Sequence, residues 1–192
     1  LQRGEWVIQN VANSAVGRLL IVQARQRGLR TVNVVRRPEL AAELTALGAD
    51  IVLVDGDDLA DRVAAATGRA EIRLGIEAVG GAATARLVEC VANDGTVVHY
   101  GSMSGEDPWA GRSNFIYRGV RLTGFMLGRF LARRTPEQVR AIYADLGAQV
   151  KAGTLSAPVD SVYPIDDIRE ALRHADKGGR HGKILVSPNG AI

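Results

Sequence analysis

Residues 5–37, EWVIQNVANSAVGRLLIVQARQRGLRTVNVVRR, decide the fold of this 192-residue chain. Residues 6–8 are a short apolar run, and a helix-length segment follows them and ends at Gly28. Residues 31–35 are rich in β-branched side chains, which pack well in strands. The stretch therefore predicts a strand, a tight turn, a helix and a second strand.

The turn before the predicted helix is the part of this unit that can bind an anion. Backbone N–H groups at a helix N-terminus lack partners, and the helix dipole favours negative charge there, so a pyrophosphate can bind. The pattern of dinucleotide-binding turns, G-x-G-x-x-G, reads Ala12, Ser14 and Gly17 here. Ala and Ser are small, and the Ser14 hydroxyl can donate to a phosphate. The alternative is an ordinary helix cap in an α/β domain without a ligand.

Two arginines follow the second predicted strand. A fold that prefers NAD usually has Asp or Glu there, which accepts hydrogen bonds from the ribose 2′-OH. Arg36 and Arg37 would instead bind a 2′-phosphate through their guanidinium groups, which predicts NADP as the cofactor. The alternative is a pair of solvated surface arginines before Pro38.

Strands and helices alternate along residues 1–153, as in α/β proteins with a doubly wound parallel sheet. We predict four more strands and four more helices after the first unit; the strands cover residues 51–54, 72–79, 96–100 and 120–126, and the helices cover 38–47, 59–67, 82–92 and 137–152. The sequence thus predicts a Rossmann domain with six parallel strands. Residues 154–192 break this rhythm, with strands at 159–163 and 183–186 and a helix at 165–175, so we assign them to a different domain.

Ligands of such a sheet lie beyond the carboxyl ends of the strands. Residues 10–14, 79–81 and 100–103 are therefore candidates for ligand contact. Each has a simpler alternative, since Gly80 and Gly81 also suit a turn and Tyr100 or Met103 also suits the edge of a core.

Composition restricts the class of protein. Cys90 is the only cysteine, which excludes an intrachain disulfide and favours a reducing, cytoplasmic compartment. No apolar run reaches the length of a membrane span, so we expect no membrane contact. The net charge is +3, the basic residues are scattered and only 5% of residues are aromatic, so we expect no nucleic-acid partner.

The chain resembles a known family in five motifs that occur in order, at residues 7–17, 30–36, 100–103, 124–125 and 182–185. Together they resemble the zinc-independent medium-chain dehydrogenase/reductase superfamily. The closest likeness is to mitochondrial-type trans-2-enoyl-CoA (2-enoyl thioester) reductases, and quinone oxidoreductases come next. Glu77 stands where the reductases commonly have Asn, which weakens the distinction between the two groups.

The resemblance implies an NADP site and no metal site. It assigns the turn to the pyrophosphate, the arginines to the 2′-phosphate, two later segments to the nicotinamide and one lysine to a late contact: Asn13, Ser14, Ala15, Val16 and Gly17; Arg36 and Arg37; Tyr100, Gly101, Ser102, Met103, Phe125, Met126, Leu127 and Gly128; and Lys183. Members often show Arg-Asp-Arg after the second strand, and one of these residues is missing here, so Arg37 is a weaker assignment than Arg36.

Enzymes of this superfamily begin with a GroES-like domain that carries a catalytic Tyr. This chain begins at Leu1, a few residues before its first strand, so we expect a cofactor-binding domain without a catalytic residue, inactive alone. Residues 154–192 would then pack on the GroES-like domain. The expected function of the whole enzyme is hydride transfer from NADPH to a 2-enoyl thioester; the alternatives are quinone reduction and nucleotide binding without catalysis.

A homodimer is also expected. The sixth predicted strand, which begins at Val120 and ends at Met126, closes one side of the sheet and contains no proline that would block pairing. Dimers of this superfamily commonly join their sheets at that edge. The alternative is an edge covered by a loop of the same chain.

Overall fold

A six-stranded parallel sheet forms the centre of the protein in the computed structural model, which describes residues 1–177 and 179–190. Its strands are β1 (Trp6–Gln9), β2 (Arg30–Val35), β3 (Ile51–Val54), β4 (Ile72–Glu77), β5 (Thr96–His99) and β6 (Arg121–Gly124). They lie in the order β3-β2-β1-β4-β5-β6, and all five neighbouring pairs are parallel. The predicted Rossmann sheet is therefore confirmed, with its switch point between β1 and β4.

Seven helices connect or follow these strands in the described part of the chain. They are α1 (Ala15–Gln26), α2 (Ala41–Leu47), α3 (Leu59–Thr67), α4 (Gly81–Cys90), α5 (Arg112–Ile116), α6 (Leu127–Ala132) and α7 (Pro136–Lys151). None of the helices in the described residues combines the length and the apolar character that a bilayer span requires.

Two apolar clusters hold the helices to the sheet. Ile8, Val32 and Val34 belong to the cluster that also includes buried residues of α3 and α4. Ile21 of α1 and Leu44 of α2 belong to the other cluster. Full burial of one such side chain stabilises the fold by about 1.5–3 kcal/mol. The nearly continuous buried runs of β1 and β2 are typical of parallel strands that are covered on both faces.

The described residues from 154 to 177 and from 179 to 190 lie outside the large sheet. The strands β7 (Val159–Pro164) and β8 (Lys183–Ser187) pair in parallel outside the large sheet, and α8 (Ile168–Asp176) packs against both. Gly182 fits closely at this pair, because a Cβ there would lie 2.6 Å from the carbonyl oxygen of Pro158. The assignment of this segment to another domain stays a prediction.

Several predicted boundaries are wrong by a few residues. The strand predicted at 120–126 covers Arg121–Gly124, because the N–H of Val120 bonds to the Asn114 carbonyl and Met126 is the N-cap of α6. The helices predicted at 38–47 and 165–175 each begin with a 3₁₀ turn, Pro38–Leu40 and Ile165–Asp167.

Candidate cofactor site

The N-terminus of α1 lies at the switch point, directly after β1, and carries the predicted residues Asn13, Ser14, Ala15, Val16 and Gly17. The Ser14 side chain caps the helix by accepting a hydrogen bond of 3.1 Å from the N–H of Gly17. Its hydroxyl proton remains available for an anion. Val16 is 50% exposed, so the first turn of the helix is open to solvent.

Gly17 is required by the packing of this turn. A Cβ at this position would lie 2.6 Å from the carbonyl oxygen of Ala12, and backbone cannot move aside as a side chain could. Buried amides hold the same turn on the sheet: Gln9 donates to the Gly17 carbonyl at 2.9 Å and to the Asn33 side chain at 2.8 Å. The turn is therefore fixed before any ligand binds.

Strain also marks this turn. Val11 has a φ of 50°, in the left-handed region that β-branched residues avoid. Such a conformation costs about 1–3 kcal/mol and occurs often at ligand sites, where the surrounding structure holds it in place. Here the carbonyl of Val11 accepts from the N–H of Ser14 at 2.9 Å, so the strained residue shapes the entry to the helix.

Arg36 and Arg37 lie at the end of β2, in the same row of strand ends. The Arg36 side chain is exposed and takes part in no ion pair among the described residues. Arg37 is half-buried and lies 3.6 Å from Glu39. The nearby carboxylate at the end of β3, Asp55, is neutralised by Arg86 through contacts of 2.8 and 2.6 Å. Of the two arginines at the end of β2, Arg36 is therefore the one whose charge is available to bind an anion.

An open groove of ≈ 960 Å³ lies beyond β5 and β6. It brings together Tyr100, Gly101 and Ser102 from one predicted segment with Phe125 and Met126 from the other. Burial raises the pKa of Tyr100, and the nearby Ser14 hydroxyl opposes that shift, so this end of the groove lies close to the α1 turn. The groove and the neighbouring α1 turn, which we together call the crevice, both lie at the carboxyl ends of the strands.

Four predicted residues lie apart from the groove wall. Met103 is 64% exposed in the loop after Ser102. Leu127 and Gly128 begin α6; Leu127 is exposed, and a Cβ at Gly128 would meet nothing within 4 Å. Lys183 is exposed at the start of β8, outside the large sheet. Their contact with a cofactor stays a prediction.

A buried carboxylate network lies beneath the groove and was not predicted as part of the site. Glu77 ends β4 and is fully buried. Its Oε1 accepts from the Asn10 amide at 2.8 Å and from the N–H groups of Val79 and Gly80 at 2.7 and 3.0 Å, and its Oε2 contacts Nδ1 of His99. Burial raises the pKa of Glu77, but these hydrogen bonds outweigh it and hold the pKa below its usual value.

His99 connects this network to the groove. It ends β5, in register with Glu77, and its ring lines the groove. The signal in the sequence was Glu77 itself, an acidic residue at the carboxyl end of an apolar strand. The pairing with His99 required the strand order and the register.

The sequence model of the zinc-binding dehydrogenase family matches residues 15–148, which is more than half of the chain. The chain belongs to this family. The family's name refers to zinc, and a zinc site in a protein takes three or four His, Cys, Asp or Glu ligands. Within residues 1–177 and 179–190 no three side chains of these types are placed to hold a metal ion, so the described residues do not fit one.

Relatives of this chain include the mitochondrial enoyl-[acyl-carrier-protein] reductase of Homo sapiens, 34% identical over 182 residues. That alignment covers 92% of this chain and 49% of the human protein, so the chain spans about half the length of the curated relatives it matches.

Solved structures show the same fold. A mycobacterial quinone oxidoreductase matches with a TM-score of 0.86 and 26% identity, over 98% of this chain and 58% of the other. Etr1p in complex with NADP and crotonyl-CoA matches with a TM-score of 0.82 and 22% identity, over 97% of this chain and 55% of the other.

Proposed function

We propose that this chain is the NADPH-binding part of an oxidoreductase that transfers a hydride from NADPH to the double bond of a 2-enoyl thioester. The observation that carries the proposal is Arg36, an exposed cation at the end of β2 that takes part in no ion pair among the described residues. Its strand is the neighbour of β1, after which the open N-terminus of α1 follows. The 34% identity to an enoyl-[acyl-carrier-protein] reductase supports the thioester as substrate.

The residues of the crevice have separate roles in this proposal. The N-terminus of α1 binds the pyrophosphate through its backbone N–H groups and the Ser14 hydroxyl. Arg36 binds the 2′-phosphate, and Arg37 contributes less because it is shared with Glu39. Tyr100 and Phe125 orient the nicotinamide from the two walls of the groove. The bound cofactor supplies the hydride, and the protein supplies binding and orientation.

Calorimetry with NADPH and NADH tests the cofactor. We expect NADPH to bind at least tenfold more tightly, since one charge-assisted contact to phosphate is worth about 1.5–3 kcal/mol. Equal affinities would contradict the proposal. Quenching of tryptophan fluorescence by NADPH gives an independent reading of binding, because Trp109 is exposed in the loop after the predicted nicotinamide segment.

Quinone reduction is the second candidate, supported by the similarity to the mycobacterial quinone oxidoreductase. The cofactor would be the same, so the substrate alone distinguishes the two. The assay compares crotonyl-CoA with a quinone, using a protein in which a GroES-like domain precedes this chain. Faster NADPH oxidation with the quinone would favour the second candidate, and binding of NADPH without turnover of either would favour a nucleotide-binding module.

We also propose a homodimer and a reducing, cytoplasmic location. The edge position of β6 supports the dimer, because its outer backbone groups have no strand partner in the described residues. The single cysteine supports the compartment. Burial raises the pKa of Cys90 to about 12, so its thiol is protonated and unreactive at neutral pH.

A further inference from the structure

Three arginines form one side of the groove beyond β5 and β6: Arg129 and Arg133 of α6 and its C-cap, and Arg134 after them. Among the described residues that line this groove there is no Asp or Glu. Concave surfaces lined by one sign of charge concentrate the field and attract the opposite charge. The groove is therefore an anion-attracting surface, distinct from the arginines at the end of β2.

The three guanidinium groups are not equivalent. Arg134 lies 3.3 Å over the ring of Phe130 and donates to the Phe130 carbonyl at 2.6 Å, so it is held in place. Arg129 and Arg133 are exposed and take part in no ion pair within the described ranges. They are one helical turn apart, a spacing at which like charges destabilise a helix. A bound anion would remove that repulsion.

The position of these arginines separates them from the cofactor phosphates of the proposed function. β6 is four strand positions from β2 in the sheet, about 19 Å at the usual strand spacing. Arg36 lies at the end of β2, and the α1 turn follows β1. The groove instead adjoins Tyr100 and Phe125, the nicotinamide side, where a substrate must approach.

We propose that Arg129 and Arg133 bind the phosphate at the end of a pantetheine thioester, and so select phosphate-bearing substrates. The inference rests on the proposed function, because it gives the substrate of that reaction a second contact. Guanidinium groups bind phosphate through paired hydrogen bonds. The exposed Phe125 and Met126 provide apolar surface for the arm between the phosphate and the thioester. A quinone carries no phosphate and gains nothing from the arginines.

Calorimetry on the whole 192-residue chain, saturated with NADP, tests this with CoA, 4′-phosphopantetheine and pantetheine. We expect CoA to bind at least tenfold more tightly than pantetheine, with an affinity that falls as salt rises. The double variant Arg129→Gln/Arg133→Gln should lose that difference. Its matched control is Arg169→Gln/Arg173→Gln, two exposed arginines with the same spacing on α8, and it should bind CoA like the unmodified chain.

The titration with 4′-phosphopantetheine identifies the source of the phosphate. If 4′-phosphopantetheine binds as tightly as CoA, the protein recognises the phosphate that CoA shares with the pantetheine arm of carrier proteins. If it binds more weakly than CoA, the nucleotide of CoA adds contacts. Equal affinity for CoA and pantetheine, or unchanged CoA binding in the double variant, overturns the proposal. So does an equal loss of NADPH affinity in the double variant, since the arginines would then serve the cofactor.

The same titrations separate this inference from the proposed function. If NADPH binds without preference over NADH while CoA still depends on Arg129 and Arg133, the proposed function fails and the phosphate site stands. If NADPH is preferred and CoA does not bind, the site fails alone. Thermal unfolding of both double variants confirms that each is folded before its affinity is compared.

Discussion

Arg36 is the residue whose charge should set cofactor preference. We expect Arg36→Asp to erase or invert the preference for NADPH, because the new carboxylate repels a 2′-phosphate and accepts from a 2′-OH. The measurement is the pair of dissociation constants for NADPH and NADH. Arg37→Asp is the comparison, and its effect should be smaller because Arg37 already lies beside Glu39. A larger effect at Arg37 would reverse the assignment.

Glu77 links stability to pH. Its folded-state pKa is held below the usual value, so its ionised form stabilises the fold above the unfolded pKa, near 4.5, and this contribution is lost as pH falls through the folded pKa. Glu77→Gln should lower the free energy of unfolding at pH 7 by about 1–3 kcal/mol, since buried hydrogen bonds to a charged group are lost. Below pH 4.5 the gap between the two proteins should narrow.

Denaturant unfolding at pH values from 7 to 3 measures the free energy of unfolding of the unmodified chain and of Glu77→Gln. The control is Glu89→Gln, an exposed carboxyl on α4, which should leave the free energy of unfolding within about 0.5 kcal/mol of the unmodified value. A gap between Glu77→Gln and the unmodified chain that stays constant with pH would mean that its ionisation is not what the network stabilises.

At the scale of the elements, α1 must approach β1 closely enough to present its N–H groups. Gly17→Ala should destabilise the fold by about 1–3 kcal/mol and weaken NADPH binding, because its Cβ meets the Ala12 backbone. Gly147→Ala on α7 is the matched control, since nothing lies within 4 Å of its Cβ. Removal of a helical glycine in open space should stabilise by up to about 1 kcal/mol. Equal effects at the two glycines would be evidence against the close approach.

β6 offers its outer edge to a second copy. The N–H groups of Arg121 and Phe125 bond toward β5, so by the alternation of a strand those of Leu122 and Gly124 face the free edge. Gly124→Pro removes one outer donor and should convert the expected dimer into a monomer at micromolar concentration, measured by light scattering. Gly124→Ala keeps the donor and should remain dimeric, since its Cβ meets only the His99 carbonyl at 4.0 Å. A monomeric unmodified chain contradicts the proposal.

The sheet was predictable because each strand is a β-branched or apolar run between clear turn signals. The helices α5 and α6 were not predicted, since five and six residues are too few for helical periodicity to be detected. For the same reason the sequence did not indicate that Arg129, Arg133 and Arg134 share a groove with Tyr100. The cofactor turn was found from its small residues, but its dependence on Gln9 and Asn33 required the register of β1 and β2.

On the scale of the whole molecule, binding and catalysis are expected to separate. In the proposed function, NADPH is bound by the α1 turn, Arg36 and the groove, and all of these are in the chain. Reduction also needs the thioester held with its β-carbon against the nicotinamide and its carbonyl polarised, and we assign those groups to the half of the relatives' length that this chain does not match. Correct positioning of two reactants is worth about 7–11 kcal/mol.

The isolated chain should therefore oxidise NADPH with crotonyl-CoA at least about 10⁴-fold more slowly than a protein in which a GroES-like domain precedes it. Its NADPH affinity should stay within about threefold of that protein, because the cofactor contacts are the same. The measurement is NADPH absorbance over time for both proteins at saturating cofactor. A comparable rate from the 192 residues alone would place the catalytic group within them. His99 and Tyr100 would then be the first side chains to replace, since both line the groove and His99 contacts the buried Glu77.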